Sequence, residues 1–246
     1  MNYLRPFALD GAPGPDPSWL IAAGEELGCT IRLVRGGGVL PTPEASAHER
    51  IAVVFRGTAF LTAGQDQHEG GEGAVLFLPA GVPGAFGGPE GSAWLEIVAL
   101  EEAPNVDGPA PEARAIPIDP DAFIGTGFGY QGQLDRSKGS RSIRVNAVEV
   151  SPGSGSPDWH IHAFAQMYLI REGEMTVEVG RRRRLRAGPN TLVILPEGVV
   201  HRNFNASGKM ERHSAILVPE PEADAVFDYA VTIHDHEASF MTDLPD

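Results

Sequence analysis

Three histidines and a glutamine are spaced so that they could hold a metal. In PDWHIHAFAQMYLIREG, residues 157–173, His160 and His162 are two apart and Gln166 follows four residues later. Side chains alternate along a strand with a period of two, so all three can face one side. His201 comes later, just past the Pro-Glu-Gly turn of LPEGVVHRNFN. Three imidazoles and an amide oxygen converging inside a barrel would make a site for one divalent transition metal (Fe, Mn, Zn, Ni or Cu). Imidazole suits several of these, and the amide oxygen is a neutral, weak ligand. Tyr168 and Ile170 share the parity of Gln166 and should point the same way. Tyr168 could orient a substrate or pass a proton; a core aromatic with its hydroxyl bonded fits as well. His213 is a candidate acid or base beside the site, although a surface position is the plainer expectation.

Such a site needs strands to position it, and the chain is rich in strand signals. It has 246 residues, 42% hydrophobic, with 30 glycines and 21 prolines between short runs of Val, Ile, Leu and Phe. These proportions predict many short strands and turns. Strands are expected at 29–35, 51–56, 58–62, 74–78 and 93–100, then at 142–150, 166–170, 175–179, 191–195 and 214–218. The best helical stretch is SWLIAAGEEL, Ser18 to Leu27, interrupted by Gly24. The acidic, proline-rich segment from Glu101 to Asp121 reads as a linker. Two strand-rich halves flank it, which points to a duplication.

The spacing of particular residues supports that duplication. GAVLFLPAGVPG and LPEGVVHRNFN share a Pro-x-Gly turn, with Gly84 in the first where His201 stands in the second. RIAVVFRG matches QMYLIREG, placing Arg50 at Gln166 and Gly57 at Gly173. Counting back from Arg50, Glu44 and Ser46 occupy the places of His160 and His162.

These residues resemble the cupin family. The run H-x-H-x3-Q-x6-G extends from His160 to Gly173, with Gln166 where the family pattern has glutamate. The run P-x-G-x2-H-x3-N is complete from Pro196 to Asn205. The leading glycines depart from the pattern: Ser154 holds the expected place between Gly153 and Gly155, and Gly188 lies two residues too far from Pro196. The resemblance implies an all-β bicupin, two tandem antiparallel jelly-roll barrels. It places a degenerate N-terminal cupin without metal ligands at 1–110, a metal-binding cupin at 111–220 and a tail at 221–246. It implies a metal held by His160, His162, Gln166 and His201, and it allows a homodimer.

Function follows from the ligand set and the charge. A metal with neutral ligands keeps its full positive charge, which favours Lewis-acid chemistry on a small enolisable carbonyl or keto-acid compound. Other cupins with glutamine as fourth ligand include an isomerase of antibiotic biosynthesis and a ring-opening enzyme of uronate breakdown. The alternative is an iron or copper dioxygenase like the flavonol- and β-diketone-cleaving cupins, of which the flavonol-cleaving types use glutamate as the fourth ligand. A non-enzymatic small-molecule-binding cupin is a third reading. The net charge of −14 excludes nucleic acid and anionic membrane surfaces as general partners. One cysteine, Cys29, and no apolar leader or ~20-residue apolar span make a soluble cytoplasmic protein the expectation. Arg181 to Arg186, RRRRLR, reads as a charged edge strand that could also attract an anion. His234 and His236, in the tail, could bind a second metal, though tails usually do not.

Overall fold

The computed structural model describes residues 6–10, 18–37, 44–101, 111–180, 183–222 and 224–233. His234, His236, Arg181 and Arg182 lie outside the described residues. The first half forms β1 (Phe7–Ala8), β2 (Ser18–Gly24), β3 (Cys29–Arg35), β4 (Arg50–Arg56), β5 (Ala59–Ala63), β6 (Asp66–Gly70), β7 (Val75–Leu78), β8 (Gly84–Gly87) and β9 (Ala93–Ala99). The second forms β10 (Arg114–Ile116), β11 (Phe128–Leu134), β12 (Arg144–Val150), β13 (Gly155–Ile161), β14 (Ala165–Glu172) and β15 (Met175–Val179). It continues with β16 (Arg183–Ala187), β17 (Thr191–Leu195), β18 (His201–Phe204), β19 (Glu211–Val218) and β20 (Tyr229–Ala230). Among the described residues the helical structure is two 3-10 turns, Glu25–Leu27 and Arg136–Lys138. No helix among them is long and apolar enough to cross a membrane.

The strands make two tandem antiparallel jelly-roll barrels, each of two sheets. In the first, the sheet β10-β7-β4-β9-β3-β2 packs on β6-β5-β8. In the second, β1-β17-β14-β19-β12-β11 packs on β16-β15-β18-β13-β20. The two six-stranded sheets also pack on each other. Ile51, Val53 and Phe55 of β4 share a buried cluster with Ala165, Met167 and Leu169 of β14. The alternate residues face the barrel interiors: Ala52 and Val54 in the first, Tyr168 and Ile170 in the second. Both faces are therefore buried, which is why IAVVF and QMYLI read as unbroken apolar runs.

The duplication has a backbone counterpart. Gly81 N–H bonds Ser46 O at 2.7 Å, and Gly198 N–H bonds His162 O at 3.0 Å. Val82 N–H bonds Pro79 O at 3.3 Å, as Val199 N–H bonds Pro196 O at 3.3 Å. Glu44 bridges Gly84, as His160 pairs with His201. The halves also exchange edges: β1 pairs with β17, and β10 with β7. Part of the proline-rich stretch read as a linker is thus a strand, because Arg114–Ile116 covers the open edge of β7.

The expected helix at Ser18–Leu27 is instead a strand as far as Gly24. The register with β3 shifts between Leu20 and Ala22. That bulge buries Ile21 and Ala22 side by side. Two adjacent buried positions break the period of two and imitate a helical face.

One acidic side chain joins the halves. Glu49 is 1% exposed. Its carboxylate accepts Ser140 Oγ–H at 2.9 Å, Arg141 N–H at 2.8 Å and Ser142 N–H at 2.9 Å. Removing it leaves three donors facing apolar surroundings. Glu49→Ala is expected to lower stability by about 2–4 kcal/mol in urea unfolding. An unchanged midpoint would show that these bonds do not hold the halves together.

Candidate metal centre

The three histidines meet because two strands pair in one register. His160 on β13 lies opposite His201 on β18. His162 follows just beyond the end of β13. The turn Pro196-Glu197-Gly198 delivers His201, and Gly198 takes φ +76°, where a side chain would be strained. The ring centroids are 4.9 Å apart for His160 and His162, 4.4 Å for His160 and His201, and 5.0 Å for His162 and His201. One nitrogen from each lies within 4.8 Å of the others, and each residue is 5% exposed or less.

Hydrogen bonds set the tautomers. His160 Nδ1 is 2.8 Å from Asp158 O, His162 Nδ1 is 2.8 Å from Phe227 O, and His201 Nδ1 is 2.9 Å from Val199 O. A carbonyl only accepts, so each Nδ1 carries the proton and each Nε2 keeps its lone pair. Nε2 of His162 and of His201 is buried without a partner among the described residues. Imidazoles tied back through one nitrogen, with the other unpaired and convergent, suit a metal ion. Burial, chiefly, pushes His201 down to about 3, with His160 and His162 adding to the effect against the Val199 bond. Burial also lowers His162. Both stay neutral at pH 7, as ligation requires.

Gln166 and Tyr168 face this cluster from β14. Gln166 is 7% exposed, and Tyr168 O–H donates to its Oε1 at 2.7 Å. An amide oxygen has two lone pairs, so one remains for the histidine side. Asn203 Oδ1 lies 3.3 Å from the same hydroxyl. Burial raises the Tyr168 phenol, with Asp228 and Glu211 adding to it, so the group remains a donor.

His213 departs from its expected surface position. It is 1% exposed, because β19 runs in the middle of the sheet and this parity faces inward. Its Nδ1 meets Glu211 Oε1 at 2.9 Å and Oε2 at 3.0 Å. Its ring stands edge-on to Tyr168, centroids 5.2 Å apart. Ile170, as expected from its parity, is buried in the same barrel. The described part of the arginine run, Arg183–Arg186, behaves as an edge strand: β16 borders its sheet, and Arg184 pairs with Glu178.

Several lining residues carried no spacing signal. A cavity of about 300 Å³ next to the histidines is bordered by Arg144, Asn146, Asn203, Phe227 and Asp228. Arg144 and Asn146 alternate with buried Val145 and Ala147 in SIRVNAVEV, a polar parity that could have flagged them. Phe227 and Asp228 come from the tail, where β20 pairs with β13.

The corresponding place in the first barrel is built differently. Arg50 bonds Glu96 Oε1 through Nε at 3.2 Å and Nη2 at 2.7 Å, and lies over the Phe86 ring. At Gly84 a Cβ would lie 2.8 Å from Thr62 O and from a Leu78 methyl. A histidine does not fit there without moving backbone.

Residues 146–212 match the cupin domain family. None of the curated proteins searched matches the chain. Among solved structures, protein Ylba from E. coli is 12% identical with a TM-score of 0.70, covering 92% of this chain and 95% of its own. A cupin 2 conserved barrel domain protein from Leptotrichia buccalis is 14% identical, TM-score 0.67, with coverage of 89% and 98%. Oxalate decarboxylase from Bacillus subtilis, described with Mn(II) centers, is 13% identical, TM-score 0.62, with coverage of 98% and 84%. At such identities these likenesses concern the fold. The segment bearing His160, His162, Gln166 and His201 matches the cupin domain family, and the chain as a whole has the fold of cupin-fold proteins.

Proposed function

We propose that this protein is a metal-dependent cupin enzyme that rearranges a small enolisable carbonyl or keto-acid compound without oxidation. The observation that carries this reading is the pre-set donor group: His160, His162 and His201, each tied back through Nδ1, with Nε2 of His162 and of His201 unpaired, beside Gln166. When bound, a divalent ion supplies Lewis-acid polarisation of a carbonyl, undiminished by any anionic ligand. The Mn(II) centers of the Bacillus subtilis neighbour support manganese among the candidate metals.

The protein's own groups supply proton movement and shelter. Glu211 orients His213 through Nδ1, which leaves Nε2 as the basic atom. His213 borders the cavity and is our candidate for taking a proton from the carbon beside the carbonyl and returning it to a neighbouring one. Tyr168 keeps its proton and uses it to fix the Gln166 amide. Phe227 and Val148 help to exclude water. We further propose that the first barrel is a degenerate cupin without metal, because the Arg50 guanidinium and the crowding at Gly84 occupy the equivalent place.

Elemental analysis of protein purified without chelator or affinity metal should find about one divalent ion per chain. Replacing His160 and His162 together by alanine removes two of the four donors and should abolish it. Full retention would sink the assignment.

The buried His201 also predicts a pH effect on the metal-free fold. Between pH 6.5 and 3 the unfolded chain binds a proton that folded His201 does not take up. Stability therefore falls as pH drops through this window, by about 2 kcal/mol at pH 5 from this group. Urea unfolding with chelator present should show a smaller loss from pH 7 to pH 5 in His201→Asn than in the parent. Equal losses would mean that His201 is not held neutral.

The reaction class is tested by anaerobic assay of keto acids, β-dicarbonyls and unsaturated sugar acids with the native metal. Turnover without O₂ is expected. Turnover that requires O₂ and consumes it in proportion would favour a dioxygenase. Gln166→Glu should retain the metal and lose activity, roughly tenfold or more, because a negative ligand weakens the polarisation. A gain of activity would remove the argument from neutral ligands.

A further inference from the structure

Arg144 is an arginine with no acid in direct contact, although the buried Glu220 lies near enough to feel its charge. Three arginines of the second half are matched: Arg136 with Glu222, Arg202 with Glu178, Arg212 with Glu149. Arg144 makes no ion pair among the described residues, in a chain whose net charge is −14. Its Nε donates to Asn146 Oδ1 at 3.4 Å, and its guanidinium carbon lies 5.8 Å from the centre of the Phe227 ring. Both contacts hold the side of the group and leave its forward nitrogens free of protein acceptors.

The sheet register aims it at the site. Gln166 on β14 pairs with Leu217 on β19, and Leu217 pairs in turn with Arg144 on β12. Arg144 is therefore in the same row as the expected ligand, two strand spacings away, roughly 10 Å between backbones. All three side chains line one cavity of about 300 Å³. That cavity's acid, Asp228, lies 3.4 Å from His162 Nδ1, the nitrogen turned away from the other histidines. One end of the space thus offers imidazole nitrogens and the other a planar cation with free donors.

We propose that Arg144 anchors the carboxylate of the substrate, so that the ligand class is a short 2-oxo acid rather than a neutral ketone or aldehyde. The inference rests on the reading above for the carbonyl end, and on Arg144 for the acid end. A guanidinium fork matches a carboxylate through two parallel N–H···O bonds, which an ester cannot reproduce. Asn146 and Phe227 hold the fork at its side and face, so little side-chain freedom is lost when the anion arrives.

Calorimetric titration of Mn(II)-loaded protein with 2-oxobutanoate and with its methyl ester tests this. The acid should bind at least tenfold more tightly than the ester. In Arg144→Met the acid should weaken about tenfold and the ester should not change, which erases the preference. If that variant does not fold, Arg144→Lys keeps the charge without the fork and should weaken acid binding severalfold, again with the ester unchanged. Metal content is measured on the same samples. Metal retained with acid and ester bound equally would overturn the Arg144 assignment alone. So would a preference that survives in Arg144→Met. A preference for the acid that persists in protein unable to hold metal would support Arg144 while overturning the metal reading.

Discussion

A slip of one residue in β14 would exchange Gln166 and Tyr168 for Met167 and turn the site away from its cavity. The slip is blocked because β14 is buried on both faces. One parity fills the barrel; the other, with Ala165, Met167 and Leu169, packs against β4 across the seam between barrels. Buried apolar area on each face, at ~25 cal/mol per Å², penalises any register that places Gln166 in the seam. The first barrel thus backs the sheet that carries the second barrel's site, as a wall behind it. Glu49, accepting three bonds from Ser140–Ser142, fixes that wall to the loop leading into β12, and β12 carries Arg144.

The same scaffold has reached two electrostatic solutions. In the second barrel the space between β13, β14 and β18 collects neutral imidazoles whose lone pairs point inward. Burying them unpaired costs free energy that a cation would recover. In the first barrel Arg50, at the place matching Gln166, is satisfied by Glu96 of β9 at 2.7 Å. The guanidinium there has its counter-charge beside it in Glu96. Shared backbone bonds at Gly81 and Gly198 hold both turns alike, so the difference lies in the side chains.

Much of this was legible in the sequence. All ten expected strands are present, because short β-branched runs between glycine and proline turns admit few other structures. His160, His162, Gln166 and Tyr168, expected to share one side, line one cavity, and His201, expected past the Pro-x-Gly turn, lies against the two histidines. What was hidden depends on partners far along the chain. The bulge in β2 mimics a helical pattern, and nothing local distinguishes the two. The strand β10 takes its shape from the edge of β7. His213 looked like a surface residue because the position of β19 between β12 and β14 is not written in SAILV itself. Arg144 carried only a faint signal, a charge sharing the inward parity with Asn146 in β12.

The tail shows why local motifs do not complete such a site. His162 lies beyond the last residue of β13, where no ladder bond fixes its ring. The carbonyl that orients it belongs to Phe227, 65 residues later. The pairing of β20 with β13, at His160 with Ala230 and Ile161 with Tyr229, holds that carbonyl in place. The Phe227 ring then closes one side of the cavity and lies against Arg144. One residue of the tail therefore touches both ends of the proposed site, the imidazole through its backbone and the guanidinium through its ring. A displacement of this short segment would release the His162 tautomer and the Arg144 fork together, which couples the readiness of the two ends.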